Sequence, residues 1–210
     1  MIDAIYVDHM GTDLSVVNAA RVSFGKRHYS LEDGDAKLIN YLAKHKHISP
    51  FGHCFASFHI KAPIFVARQL VKHKFLRWNE ISRRYVDDGV EFYEPDVWRG
   101  RAADKKQGSD GVVELGPFDN RIVDNYPNLA LAAYNVLLEA GVAPEQARTV
   151  LPQSTMTEWY WSGSLDAFAD MCKLRCSPDT QAETRIVSNI INSEMLVLFP
   201  ISWAALMGGE

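Results

Sequence analysis

Residues 72–85 read K-H-K-F-L-R-W-N-E-I-S-R-R-Y, and this stretch decides how the chain is interpreted. Across residues 61–85, seven lysines and arginines stand against the single acidic residue Glu80. The whole chain has a formal net charge of −4, so the cationic segment is local and is not part of a generally basic surface. Single charges of this kind usually decorate a solvated surface. Their density here, with Ser82 and Tyr85 interleaved, favours a site for an anionic ligand.

The composition of the chain is that of a globular protein with one hydrophobic core. Of its 210 residues, 47% are hydrophobic and 23% are charged, which excludes a disordered chain, a collagen-like repeat and a disulfide scaffold. This length predicts a single domain over residues 1–210. Three cysteines and the lack of a signal-peptide pattern in residues 1–13 predict a cytoplasmic protein. Residues 195–209 are apolar but too short to span a membrane, so we expect a buried C-terminal segment.

Apolar periodicity and turn residues predict helices and strands in a mixed order. The predicted strands are residues 2–7, 53–61, 91–93 and 154–161. The predicted helices are residues 12–22, 33–46, 64–74, 119–140, 144–151, 165–174 and 180–198. Residues 99–116 are polar and poorly periodic, which predicts an exposed loop or flap. No glycine-rich turn follows a strand, so the pattern favours an α+β fold over a doubly wound nucleotide-binding fold.

The predicted helix 64–74 places three polar side chains on one face. Gln69, Lys72 and His73 are three and four residues apart, so their side chains lie side by side. An amide beside two basic groups suits a nucleotide or a phosphate group. This segment therefore predicts a nucleotide-binding surface.

Residues 72–85 also resemble the signature of the flavin-dependent thymidylate synthases, R-H-R-x-x-S-x-N-E-x-S-x-R-Y. The positions that match in register are His73, Asn79, Glu80, Ser82, Arg84 and Tyr85. Lys72 and Lys74 replace the two arginines, and Arg77 replaces the serine. Further similarity lies in A-A-R-V-S-F at residues 19–24, in the histidine-rich run of residues 45–69, in A-R-x-V-L-P at residues 147–152, and in Leu174 and Arg175 followed by Gln181 and Glu183. The resemblance spans nearly the whole chain.

The resemblance implies a fold, a reaction and an assembly. The implied fold is a mostly antiparallel central sheet packed with helices. The implied reaction is the reductive methylation of dUMP to dTMP, with methylenetetrahydrofolate as carbon donor, NADPH as reductant and FAD as hydride carrier. The implied assembly is a homotetramer whose active sites combine several subunits. Neither a nucleic acid nor a membrane is expected as a partner.

By the same resemblance, two overlapping sets of residues would bind the ligands. The dUMP site would comprise Gln69, Lys72, Glu80, Ser82, Arg83, Arg84, Arg148 and Arg175. The FAD site would comprise Ser49, Lys72, His73, Lys74, Glu80, Ser164, Asp166 and Asp170. Arg175 is the expected catalytic residue, because a guanidinium can stabilise charge on the N3 and O2 side of uracil without acting as a base.

Two departures from the family pattern affect the expected flavin site. Lys72 and Lys74 keep a positive charge but lack the planar fork of arginine, which predicts weaker or differently arranged contacts. Ser164, Asp166 and Asp170 stand where the family often has Asn, Arg and Asn. Carboxylates near an anionic cofactor are unfavourable unless they point away from it or bind its ribose hydroxyls.

Metal and thiol chemistry are weaker alternatives. His45, His47, His53 and His59 match no spacing typical of metal ligands, so no metal site is expected. Cys54 is a candidate nucleophile for thymidylate synthesis of the cysteine-dependent kind. Its place in a predicted strand between aromatic residues instead favours a buried, inert thiol.

Three further alternatives concern the cationic segment itself. Ser82 would act as a nucleophile only with an adjacent base, for which His73 is the nearby candidate, so ligand binding is the favoured role of Ser82. A non-catalytic nucleic-acid binder could use residues 72–84 with Trp78 and Tyr85 as stacking platforms. An enzyme of the same architecture could also transfer a hydroxymethyl group to a pyrimidine nucleotide.

Overall fold

The computed structural model describes residues 1–103 and 108–208, and it combines helices with one four-stranded sheet and a separate hairpin. The strands are β1 (Asp3–Met10), β2 (Phe55–Pro63), β3 (Leu76–Glu80), β4 (Trp98–Arg101), β5 (Ser109–Val113) and β6 (Met156–Ser164). The helices are α1 (Asp13–Arg21), α2 (Asp35–Lys44), α3 (Ile64–Leu70), α4 (Pro117–Glu139), α5 (Pro144–Ala147), α6 (Leu165–Arg175), α7 (Ala182–Leu198) and α8 (Pro200–Met207). Short 3-10 turns cover Val22–Phe24, Ser49–His53 and Arg148–Val150.

The four-stranded sheet has the order β1-β2-β6-β3, and each neighbouring pair is antiparallel. In its centre, Phe58 lies opposite Trp161 and Ile60 lies opposite Trp159, and all four side chains are buried. Phe168 of α6 meets the rings of Phe58 and Trp161 edge-on, with centroid distances of 5.3 and 5.5 Å. Large side chains on one face of the central strands thus join the sheet to a helix. The predicted α+β fold with an antiparallel sheet is confirmed.

The C-terminal segment predicted to be buried is buried in part, since Leu196 and Val197 are exposed and residue 209 lies outside the described residues. A carboxylate from the start of α1 holds the buried part. Phe199 and Trp203 have almost no exposed surface. Asp13 is also buried; its Oδ1 accepts from the backbone N–H of Ser202 at 2.8 Å and its Oδ2 from that of Ile201 at 3.0 Å. The first N–H groups of a helix have no partner within the helix, so the carboxylate satisfies two of them in α8. None of the helices in residues 1–103 and 108–208 combines the length and the apolar character of a bilayer-spanning segment.

The predicted helix 64–74 is wrong beyond Leu70, and a strand that the sequence did not predict follows it. The chain turns through Phe75, whose φ of 62° lies in the sparsely populated left-handed region, and then enters β3. Trp78 of β3 stacks on Trp159 of β6 with a centroid distance of 4.3 Å. This aromatic pair stabilises a strand whose remaining side chains are mostly polar.

The predicted loop at residues 99–116 is also partly wrong, because β4 and β5 form an antiparallel hairpin there. Residues 104–107 of this prediction lie outside the described residues. Arg99 of β4 forms an ion pair with Glu183 of α7, and the hydroxyl of Tyr93 donates to the same carboxylate at 3.4 Å. The ion pair of Arg99 links the hairpin to α7, and Tyr93 holds the same carboxylate from the segment before the hairpin.

Two of the remaining predicted elements are wrong in part, and the others are confirmed with small changes at their ends. The predicted strand 91–93 is reduced to one isolated bridge between Phe92 and Thr155. Residues 144–151 form the short helix α5 and a 3-10 turn instead of one helix. The last predicted helix begins at Ala182, and the additional helix α8 begins at Pro200.

Candidate active site

A cavity of about 590 Å³ opens where β3 ends beside the start of β6. We call it the signature cavity, because residues 79–85 form much of its wall. Five of the residues predicted for dUMP line it, namely Glu80, Ser82, Arg83, Arg84 and Arg148. The first four lie at the end of β3 and in the next loop, and the last comes from the 3-10 turn after α5. A cavity of this size accommodates a small organic ligand.

The Glu80 carboxylate is held in place by two donors from the sheet. The hydroxyl of Thr157 donates to Oε1 at 2.7 Å, and the indole N–H of Trp78 donates to Oε2 at 3.1 Å. Each oxygen keeps lone pairs that can accept from a ligand hydroxyl or N–H group. A carboxylate fixed in this way presents acceptors in a defined direction, which a mobile surface glutamate does not.

Arg83 stabilises the loop that follows the signature. Its Nη1 donates to the carbonyl oxygens of Val86 at 3.5 Å and Asp88 at 2.5 Å, and its Nη2 donates to that of Gly89 at 3.3 Å. Three carbonyl acceptors in one loop engage most of the guanidinium fork. The structure therefore gives Arg83 a loop-folding role at the cavity wall in addition to its position among the predicted dUMP residues.

Arg84 and Arg148 are two exposed cations of the signature cavity wall. Arg84 lies over the ring of Tyr85, 5.2 Å from its centroid, and its Nη2 donates to the Tyr85 hydroxyl at 3.1 Å. Arg148 donates through Nε to the carbonyl oxygen of Glu145 at 3.3 Å. These contacts use only part of each guanidinium, so further N–H donors remain for an anionic ligand.

A second set of predicted residues meets at the end of α6. Arg175 donates through Nε to Nε2 of His73 at 3.0 Å and through Nη2 to the backbone oxygen of Gln69 at 3.4 Å. We call Gln69, His73 and Arg175 the Arg175 group. Its members are separate from the lining of the signature cavity. Five of the eight residues predicted for dUMP therefore line the signature cavity, and Gln69 and Arg175 lie in the Arg175 group. Lys72 is in neither.

His73 is neutral around pH 7. Burial and the adjacent Arg175 charge together lower its pKa from 6.5 to about 4. A neutral imidazole can accept the hydrogen bond that Arg175 donates, whereas an imidazolium cannot. His73 thus orients the Arg175 guanidinium, and the accepting nitrogen of His73 is already hydrogen-bonded to Arg175. This arrangement disfavours the alternative in which His73 activates Ser82 as a nucleophile.

The lowered pKa of His73 predicts an acid-sensitive stability. Below about pH 6.5 the unfolded chain protonates this imidazole, while the folded protein resists protonation until about pH 4, so the free energy of unfolding should fall across this window. Urea unfolding at a series of pH values, compared between the parent protein and His73→Gln, measures this contribution. The variant should lose part of the decline between pH 6.5 and 4. Identical slopes for both proteins would contradict the assignment.

The residues predicted for FAD include an unsatisfied acceptor. Ser164 is the N-cap of α6, and Asp166 lies in its first turn. The Oδ1 of Asp166 is buried and has no hydrogen-bond partner within the described residues, and a Cβ added to Gly52 would lie 3.9 Å from it. The exposed members of the set are Ser49, Lys72, Lys74, Glu80 and Asp170. A carboxylate oxygen without a partner suits a sugar hydroxyl, so Asp166 fits the sugar part of a flavin nucleotide.

Cys54 has the properties of a structural thiol. It is fully buried, its thiol donates to the backbone oxygen of Thr12 at 3.5 Å, and burial and the nearby Asp13 charge raise its pKa to about 11. A thiol that stays protonated is a poor nucleophile. Among residues 1–103 and 108–208, no three histidine, cysteine or acidic side chains are grouped to hold a metal ion.

A second cavity, of about 770 Å³, lies between the β4–β5 hairpin, α4 and the start of α7. We call it the hairpin cavity. Its aromatic wall residues are Phe65, Tyr93, Trp98 and Tyr126, and its polar wall residues include Gln181 and Glu183. The two cavities share a wall, because Ile64 and Thr155 line the signature cavity while their neighbours Phe65 and Ser154 line the hairpin cavity.

Sequence reasoning missed the side chains that support the predicted residues. Thr157 and Trp78 hold Glu80, and the buried Thr184 donates from its hydroxyl to Oε1 of Gln69 at 3.1 Å. Trp78 could have been found, since residues two apart share one face of a strand. The two threonines belong to no recognisable motif, and only the folded structure brings them to their partners.

Comparisons with known proteins agree in pointing to one family. The family model described as thymidylate synthase complementing protein matches residues 6–201. A flavin-dependent thymidylate synthase of Thermus thermophilus is 43% identical over 199 residues, which cover 95% of this chain and 73% of that protein. One from Treponema denticola is 37% identical over 205 residues, covering 95% of this chain and 76% of that protein.

Solved structures extend the similarity to three dimensions. The crystal structure of the UMP/dUMP methylase PolB from Streptomyces cacaoi, bound with 5-Br dUMP, superimposes with a TM-score of 0.85 at 31% identity. The match covers 98% of this chain and 94% of that chain. Sequence and architecture therefore agree over nearly the full length, and this chain belongs to the thymidylate synthase complementing protein family and is an enzyme.

Proposed function

We propose that this enzyme converts dUMP to dTMP by reductive methylation, with methylenetetrahydrofolate as carbon donor, NADPH as reductant and FAD as hydride carrier. The signature cavity is the observation on which the proposal rests, because it joins two exposed guanidinium groups to an oriented carboxylate. The names of the relatives, flavin-dependent thymidylate synthases and a UMP/dUMP methylase, support the same substrate and chemistry.

The phosphate of dUMP matches the cationic side of the signature cavity. This group carries about −1.5 to −2 charges at pH 7 and needs several charged donors. Arg84 and Arg148 supply them, and the hydroxyl of Ser82 lies on the same wall. Glu80, held by Thr157 and Trp78, supplies acceptors for the polar groups of the nucleoside. Lys72, at the start of the same signature stretch as Glu80, adds an exposed positive charge.

Arg175 is the proposed catalytic residue. Carbon C5 of uracil becomes a nucleophile only when electron density moves toward it, and negative charge then has to be tolerated on the N3 and O2 side of the ring. A guanidinium placed there stabilises this charge and remains protonated itself. The neutral His73 holds the Nε side of Arg175 and so fixes the plane of the guanidinium. No cysteine nucleophile is needed, in agreement with the inert Cys54 thiol.

The flavin would be held by the set that contains Ser49, Lys72, Lys74, Ser164 and Asp166. When bound, FAD would supply hydride transfer between NADPH and the one-carbon unit. The chain's own contribution would be positional: the ammonium groups of Lys72 and Lys74 would attract the diphosphate, and the Oδ1 of Asp166 would accept from a sugar hydroxyl. Asp170, one turn further along α6, is exposed.

The proposal includes a homotetramer of single-domain subunits, each comprising residues 1–210 and working in the cytoplasm. The separation of the signature cavity from the Arg175 group supports sites completed by neighbouring subunits. An exposed apolar face of α4, formed by Phe118, Ile122, Tyr126 and Leu129, supports burial against another subunit.

The three cysteines are free thiols, which suits a reducing compartment. Neither a nucleic acid nor a membrane takes part.

Anaerobic incubation of the FAD-loaded protein with dUMP, methylenetetrahydrofolate and NADPH, followed by product analysis, tests the proposal. We expect dTMP as product, and a strongly reduced rate for Arg84→Ala. Arg27→Ala is the matched control, since Arg27 lies over Tyr29, outside both candidate groups. Hydroxymethyl-dUMP in place of dTMP would identify an enzyme that transfers a different one-carbon group. The absence of any nucleotide product, with length-dependent binding of oligonucleotides, would favour the non-catalytic alternative.

A further inference from the structure

The half-buried side chain of Gln69 is hydrogen-bonded to residues at the start of α7. Its Nε2 donates to Oε1 of Gln181, the N-cap of this helix, and its Oε1 accepts from the hydroxyl of Thr184 at 3.1 Å. Thr184 is completely buried. The backbone oxygen of Gln69 also accepts from Arg175. Both ends of the amide are therefore fixed by residues outside the predicted dUMP set.

The buried hydroxyl of Thr184 determines which way the Gln69 amide faces. A buried O–H group needs an acceptor, and leaving it without one costs about 1–3 kcal/mol. The amide oxygen of Gln69 meets this need, so the amide nitrogen has to lie on the other side, toward Gln181. If the amide were reversed, its N–H2 group would face Thr184 and the hydroxyl hydrogen would lose its acceptor.

The fixed amide leaves one particular group for a ligand. The nitrogen of Gln69 carries two N–H donors, and Gln181 accepts one of them. The other is directed by the same amide plane and is a donor, which suits a carbonyl oxygen of a nucleotide. Reversal of the amide would present an oxygen in its place and repel the same ligand atom.

We propose that Thr184 is a positioning residue for dUMP: through its hydroxyl it sets the Gln69 amide so that an N–H donor, and not the oxygen, faces the nucleotide. The inference rests on the proposed function, because it takes dUMP as the ligand. Thr184 itself does not touch the substrate. Its effect passes through Gln69, so replacing Thr184 changes binding only while Gln69 is present.

The test uses the FAD-loaded 210-residue chain and dUMP as titrant, with affinity measured by calorimetry. Thr184→Val keeps the shape of the side chain and removes the donor, and Thr184→Ser keeps the donor. We expect Thr184→Val to raise the Kd for dUMP about tenfold, the size of one lost hydrogen bond to the ligand, and Thr184→Ser to stay within about twofold of the parent protein. Melting temperatures of all variants report the general effect on folding.

A double-mutant cycle separates positioning from a general structural effect. In the Gln69→Ala background, Thr184→Val should leave the Kd unchanged, because the amide that Thr184 orients is absent. An unchanged Kd for Thr184→Val alone, or an equal loss of affinity in both backgrounds, would overturn the positioning role while the parent protein still binds dUMP. A parent protein that binds no dUMP would overturn the proposed function and the inference with it.

Discussion

Replacing Arg175 by alanine should lower kcat for dTMP formation by about 10²–10³-fold, the usual cost of removing one group that stabilises developing charge. The Kd for dUMP should rise much less. In the proposed mechanism the guanidinium interacts most strongly with the charge that appears on the uracil ring during the reaction, and only weakly with the neutral ring of the bound substrate. Arg175→Lys should retain part of the rate, because the ammonium keeps the charge but loses the planar fork.

Single-turnover kinetics and direct titration with dUMP separate these quantities. Arg27→Ala is again the matched control, and its kcat and Kd should remain those of the parent protein. His73→Gln provides a second comparison, since an amide oxygen can still accept from Arg175 and part of the rate should survive. A rise in KM with kcat intact in Arg175→Ala would instead mean that Arg175 binds the ground state and the transition state equally.

Replacing Asp13 by alanine should reduce the free energy of unfolding by about 3 kcal/mol. Its carboxylate accepts the backbone N–H groups of Ile201 and Ser202, and the carboxylate itself lies in the interior. Without the carboxylate, two donors at the start of α8 lose their partner, and little solvent reaches them to compensate. Asp13→Asn should lose about half as much, because one of its two terminal atoms remains an acceptor.

Urea unfolding of the FAD-free chain measures the Asp13 effect, with Asp33→Ala as control. Asp33 is an exposed aspartate in the segment before α2, and its removal should change stability by less than about 0.5 kcal/mol. Similar losses for Asp13→Ala and Asp33→Ala would show that the contact between the first and last helices contributes little.

The sequence predicts the interior of the molecule better than its edge. β2 and β6 are recognisable because each buries large apolar side chains, such as Phe58 and Trp161. β3 escapes recognition since it is the outer strand of the sheet and has mostly polar side chains. Lys72, His73 and Lys74 have the spacing and composition of a helix end, and nothing local indicates that Phe75 reverses the chain.

In the candidate site too, the sequence predicts which neighbouring residues act together but not which distant residues the fold brings into contact. The signature placed Glu80, Ser82 and Arg84 together because they are neighbours in sequence, and they do line one cavity. The pairing of His73 with Arg175 joins residues more than a hundred positions apart, which no spacing rule predicts. Thr157 and Thr184 act through single hydroxyl groups, whose importance depends entirely on which atoms the fold places beside them.

The wall between the two cavities limits how this enzyme can be altered. Ile64 and Thr155 line the signature cavity while Phe65 and Ser154 line the hairpin cavity, so the same short backbone segments shape both cavities. Substitutions in these segments that enlarge one of the two cavities should displace side chains that line the other cavity. A change of ligand preference obtained this way in the signature cavity should therefore also change what the hairpin cavity can hold.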